Sequence, residues 1–169
     1  NAFNLAKTNK SKYRRILLVR KDHIESLEKI IADSRSWVVS IKSAGNILRG
    51  ENYVYAFPEV ILNKNITRKG EIIASENISL SNSNSESIRK KIKLLLSSTL
   101  AEVKKRGSLS SELKVNASQI NNLGKNLISR KKGDIKIVAK AINNSQSADK
   151  VPISLEVQTL KKDLKTNNK

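Results

Sequence analysis

Residues 37–78, WVVSIKSAGNILRGENYVYAFPEVILNKNITRKGEIIASENI, decide the fold. Apolar residues alternate in Trp37, Val39 and Ile41, then in Tyr53, Tyr55 and Phe57, then in Val60 and Leu62, and Ile72 and Ile73 close the run. Period-two alternation marks half-buried strands, and Gly45-Asn46, Arg49-Gly50-Glu51-Asn52 and Lys69-Gly70 supply turns between them. The stretch predicts three or four short strands. It also holds most of the aromatic residues, so Tyr53, Tyr55 and Phe57 are expected to face a core as one row.

Upstream, Ile16–Val19 lies between basic flanks and reads as a strand. Asp22 and Glu25 form a capping box for a helix carrying Ile24, Leu27, Ile30 and Ile31 as far as Asp33. Downstream, Ser83-x-x-Glu86 caps a helix over 85–106. Its apolar face is Ile88, Ile92, Leu95, Leu96, Thr99 and Val103, with Lys90, Lys93 and Lys104 opposite. Gly107 ends it behind the basic turn Lys104-Lys105-Arg106. A short strand at 113–115, a helix from Ser118 to Ile128 and strands over 134–141 and 151–160 follow.

This order contains a repeat. Leu17, Val19, Ile24, Leu27, Lys29 and Ile31 match Leu113, Val115, Ile120, Leu123, Lys125 and Leu127, 96 positions later. After an insertion near Gly133 the offset becomes 98: Val39 meets Ile137, Lys42 meets Lys140, and Glu51 meets Asp149. Tyr53, Tyr55 and Phe57 then meet Val151, Ile153 and Leu155, and the N-caps Asp22 and Ser118 correspond. The fold class expected is α+β, a pseudo-twofold duplication of a β-α-β-β unit with a connecting amphipathic helix. The segments are a lead-in (1–12), a first unit (13–78), a linker and bridging helix (79–110), a second unit (111–163) and a tail (164–169). Each unit is small enough to be marginal alone, so both are expected to share one compact body.

The 169 residues are 38% hydrophobic but only 4% aromatic, so Ile, Leu and Val must build the core. Lys and Arg number 33 against 15 Asp and Glu, a formal +18 that attracts polyanions such as nucleic acid, anionic lipid or acidic envelope polymers. A solvated basic surface is the bland alternative. With no Cys, disulfides and thiolate metal sites are excluded. No apolar run is long enough to span a bilayer. The chain begins at Asn1 without Met, which reads as a processed piece of something longer.

The opening stretch resembles DUF3084, a cyanobacterial family of unknown function. The resemblance rests on Trp37-Val38-Val39, Ser43-Ala44-Gly45-Asn46 with Arg49-Gly50-Glu51, Asn63, and Arg68-Lys69-Gly70-Glu71-Ile72-Ile73-Ala74. Val103-Lys104-Lys105-Arg106-Gly107 is similar to the family's basic, glycine-ended helix. The match covers about 13–109, and the second repeat departs from it with Ala148-Asp149 in place of Gly-Glu. Such proteins carry two membrane helices, a coiled coil and a globular C-terminal part. The resemblance implies that this chain is that part, on the periplasmic or lumenal side of a membrane, with oligomerisation through the parent's coiled coil. Without the resemblance the cytoplasm is the default.

Catalytic chemistry is poorly supplied. His23 is the single histidine, so Ser-His-Asp or His-metal sites would each rest on one residue, and an exposed or capping histidine is the ordinary case. Asp22, Glu25, Glu28 and Asp33 cluster around the first predicted helix, at whose start negative charge suits the dipole. No phosphate-binding glycine loop occurs. No catalytic, metal or cofactor residue is assigned, and no cofactor is expected. The candidate polyanion-binding residues are Arg14, Arg15, Arg20, Lys21, Lys90, Lys93, Lys104, Lys105, Arg130, Lys131 and Lys132. Tyr13, beside Arg14 and Arg15, is the candidate base-stacking residue. The function expected is a non-enzymatic binding or scaffold module whose partner is a protein or envelope polymer. An anionic membrane surface is a further possible partner, and nucleic-acid binding is the alternative function.

Overall fold

A computed structural model describes residues 16–48, 50–130 and 133–159. The expected lead-in 1–12 and tail 164–169 lie outside them. Helices and sheets combine as an α+β protein, and the chain divides into two compact units, Asn1–Asn63 and Lys64–Lys169, where one body was expected.

The first unit contains β1 (Ile16–Val19), α1 (Lys21–Ile31), β2 (Trp37–Ser43) and β3 (Tyr53–Leu62). β3 is central, with β1 parallel to its first half and β2 antiparallel along most of it. The two runs expected as separate strands, Tyr53–Phe57 and Val60–Leu62, are one strand running through Pro58. Ile16 N bonds to Asn52 O and Ala44 N bonds to Tyr55 O, so even-numbered residues of β3 turn their backbone groups toward β1. β1 ends opposite Ala56, and Pro58 therefore removes a donor where no strand needs one. The N-cap of α1 is Arg20, with no side-chain cap; Asp22 is already helical and accepts two bonds from the Arg20 guanidinium.

The second unit contains β4 (Asn65–Thr67), β5 (Ile72–Ser79), a 3-10 turn (Leu80–Asn82), α2 (Ser85–Lys105), β6 (Lys114–Val115), α3 (Ala117–Ser129), β7 (Asp134–Ala141), β8 (Ser145–Gln146) and β9 (Pro152–Thr159). Its main sheet has the order β5-β7-β9-β6, and β4 pairs with β8. The expected boundary at residue 78 is thus wrong. β5 pairs with β7 from Ile72↔Lys140 to Ser79↔Asp134, and Ile73 and Ile78 enter the second unit's core. The helix expected to bridge two halves buries Ile88, Ile92, Leu95, Thr99 and Val103 in that core, against β5, β7 and α3. Its apolar face is fully used there.

Capping follows the side chain best placed to accept. Asn84 accepts from Ser87 N at 2.8 Å and Asn116 from Ser118 N at 2.9 Å, displacing the expected Ser83 and Ser118 caps. At the other end of α2, Gly107 N bonds to Lys104 O and Ser108 N to Val103 O, a Schellman closure. Gly107 has φ of 103°, where a side chain is strained.

The two units share a β-α-β-β order with the same pairing senses: β1 is parallel to β3 and β6 to β9, while β2 is antiparallel to β3 and β7 to β9. Trp37 pairs with Leu62 as Ile135 pairs with Thr159, and Val19 pairs with Ala56 as Val115 pairs with Ile153. These registers place Val54, Ala56 and Pro58 opposite Val151, Ile153 and Leu155 in the comparison, correcting the expected match by one residue. The loop before β9 is one residue shorter than that match assumed. A one-residue slip exchanges the faces of a strand. Val54 and Ala56 are buried, while Tyr53 and Tyr55 are 57% and 69% exposed and Phe57 is exposed too. The aromatic row expected to anchor a core points away from it.

Candidate polyanion interface

On α2 the buried stripe recurs every three or four residues, so Lys90, Lys93 and Lys104 fall on the opposite, exposed side with Lys105 flanking. Lys90 and Lys104 are roughly 21 Å apart along the axis at 1.5 Å per residue. The acids that touch this helix are engaged elsewhere. Glu76 pairs with Lys91, Glu71 with Arg106 at 2.6 Å, and Glu102 with Arg106 at 3.0 Å. Among the described residues, Arg89, Lys90, Lys93, Lys104 and Lys105 have no acid within 4.0 Å, and Glu86 is the acid in the first turn. The row is therefore a line of positive charge that no ion pair offsets among the described residues.

The remaining candidates divide. Leu80 N bonds to Gly133 O at 2.9 Å, which ties the start of α2 to the end of α3. Arg130, the exposed C-cap of α3, thus lies toward the Arg89–Lys93 end of the row, and Lys104 and Lys105 lie at the other end. Lys125 is also exposed on α3, which packs against α2; in the sequence it figured only as the counterpart of Lys29. Arg20 and Lys21, in the first unit, are occupied by Asp22 at 2.6 Å and Glu25 at 3.3 Å. The Arg20 guanidinium, bonded to Asp22, holds that carboxyl below its usual range. Arg14, Arg15, Lys131, Lys132 and Tyr13 lie outside the described residues.

Within the first unit, His23 lines a cleft of about 290 Å³ with Leu18, Val19, Arg20, Tyr55 and Phe57. Its walls are mainly apolar, no carboxylate contributes to them, and His23 Nδ1 is buried without a hydrogen-bond partner. Trp37 Nε1 donates to Asp33 at 2.8 Å, and the Arg35 guanidinium lies 4.6 Å from the indole centroid. Hydrogen bonds from Arg35 first, then Trp37, lower the Asp33 carboxyl. Among the described residues no three His, Asp or Glu side chains gather to hold a metal, and no helix is long and apolar enough to cross a membrane.

No family model matches the chain, and no solved structure matches it. It is similar to the uncharacterized protein alr4393 of Nostoc sp. strain PCC 7120, at 32% identity over 92 residues. That alignment covers 54% of this chain and 18% of the Nostoc protein.

Proposed function

We propose that the chain is a non-catalytic binding module, the globular head of a membrane-tethered coiled-coil protein of the DUF3084 kind, that engages an anionic envelope polymer or an acidic protein surface. The reading is carried by the row Lys90, Lys93, Lys104 and Lys105 on α2. Such a row attracts a polyanion from a distance and releases it as salt screens the field, over a Debye length of about 8 Å at physiological ionic strength. The cyanobacterial relative fits the family resemblance. The matching registers support reading the two units as copies of one motif.

A second reading, single-stranded nucleic acid, is favoured by one observation. Tyr53 and Tyr55 stand exposed on one face of β3, as base-stacking platforms do. The two readings part at roughly 150 mM salt, near physiological ionic strength. Retention on anionic vesicles or peptidoglycan, lost when Lys90, Lys93 and Lys104 become Gln, supports the first. Submicromolar binding of a mixed RNA or DNA pool that falls with Tyr53→Ala and Tyr55→Ala replaces it with the second.

A further inference from the structure

A cleft of about 440 Å³ opens in the second unit beside the C-terminal end of α2, lined by Asn65, Thr67, Arg68, Glu71, Arg106 and Asn144. Its hydrogen-bonding capacity is lopsided. Glu71 accepts from Arg106 Nη1 at 2.6 Å with one oxygen and from Arg68 N at 3.0 Å with the other. Asn144 Oδ1 accepts from Lys69 N at 2.8 Å, leaving its amide hydrogens unused by any bond in the described protein. Arg106 uses Nε on Glu102 and Nη1 on Glu71 and the Ile66 carbonyl, which leaves Nη2. The Arg68 guanidinium makes no ion pair among the described residues. Thr67, 2% exposed, also lines the cleft.

The side-chain acceptors that make these bonds are thus engaged, while guanidinium and amide donors remain. Donors of that kind converge on an oxygen-rich anion, and guanidinium is the group best matched to carboxylate and phosphate. The negative end of the α2 dipole, which opposes an anion, is blunted here. Arg106, Gly107 and Ser108 amides already bond to its last carbonyls, and Lys104 and Lys105 sit in the last turn. The cleft exceeds one phosphate in size and falls in the range of small-molecule sites.

We propose that this cleft binds a small molecule through a compact oxyanion, a carboxylate or a phosphate, held by Arg68, Arg106 and Asn144. The cleft shares no lining residue with the lysine row and does not depend on the reading of that row. The 169-residue chain is titrated with inorganic phosphate and, separately, with acetate, followed by amide shifts and calorimetry. Saturable one-to-one binding of either probe is expected, with shifts centred on residues 67, 68 and 144. Saturation by phosphate alone assigns a phosphate ligand, and by acetate alone a carboxylate. Arg68→Gln should weaken it about tenfold, and Lys90→Gln with Lys93→Gln should leave it unchanged. Arg68 is exposed, so its variant should fold as the wild type does. Absence of saturation into the tens of millimolar, binding indifferent to Arg68→Gln, or loss in the lysine variant overturns the proposal.

Discussion

Val39 of β2 and Ile137 of β7 hold the same place in the two units, yet Val39 is 41% exposed and Ile137 is 0% exposed. Both sit on the antiparallel neighbour of a central strand, opposite Val60 and Val157. The second unit adds β5 along the edge of β7 and lays α2 across that sheet. Among its described residues the first unit has no counterpart of either. Among the described residues its buried apolar side chains are Val54 and Ala56, and α1 buries none fully. A β-α-β-β frame is therefore a scaffold for a core, not a core in itself; an added strand and helix are needed to exclude water from one face.

Equivalent truncations test this most strongly. Ile137→Ala should cost about 2–5 kcal/mol, the range for fully buried large-to-small changes, and Val39→Ala under about 1 kcal/mol. Urea titration followed by far-UV dichroism measures both. Trp37, the single tryptophan, belongs to the first unit, so its fluorescence should change at lower urea than the dichroism does. Coincident midpoints would contradict the contrast between the units.

Two glycines sharpen it. Gly107 and Gly50 both hold positive φ, at 103° and 97°, but a Cβ on Gly107 would meet Lys64 Cε at 2.8 Å while Gly50 faces open space. Strain at φ alone makes each alanine cost about 1 kcal/mol, and the flexible lysine adds little. Gly107→Ala should lower the main transition and Gly50→Ala only the tryptophan-reported one.

Acid titration probes the clamp that Glu71 forms with Arg106. The Arg68 backbone amide and the Arg106 guanidinium hold the Glu71 carboxyl below its ordinary value of 4.5. Its folded-state pKa is depressed, so the stabilisation is present above the ordinary value and is lost as pH falls through the folded one. Glu71→Gln should flatten the acid side of the stability curve of the second unit and leave the neutral side parallel to the wild type.

The smallest effect is the most symmetric. Lys42–Glu59 at 2.5 Å and Lys140–Glu156 at 3.6 Å occupy equivalent positions, and both pairs are partly exposed. Double-mutant cycles should show little coupling in either pair, with no advantage to the better-packed unit.

What was legible in the sequence was what is periodic and local. The 3.6-residue stripe of α2 placed its buried face and its outer lysines, and the glycine at 107 placed its end. Strand partners were not legible, because pairing of β5 with β7 joins residues far apart in the chain. The aromatic row misled because alternation shows that a strand has two faces and not which one is covered. Lys69-Gly70 reads as a turn in the sequence, but Thr67, Arg106 and Asn144 meet beside it only through the fold. Arg20 and Lys21 read as free cations because adjacent acids say nothing of geometry until a helix brings them together.

Pro58 has a bearing on solubility. An incoming strand from another molecule that prolonged the line of β1 past Val19 would meet a position offering no amide hydrogen. The growing ladder would lose a rung at its first step. One ring closure in the backbone thus guards the longest strand of the thinly covered unit against fibrillar stacking.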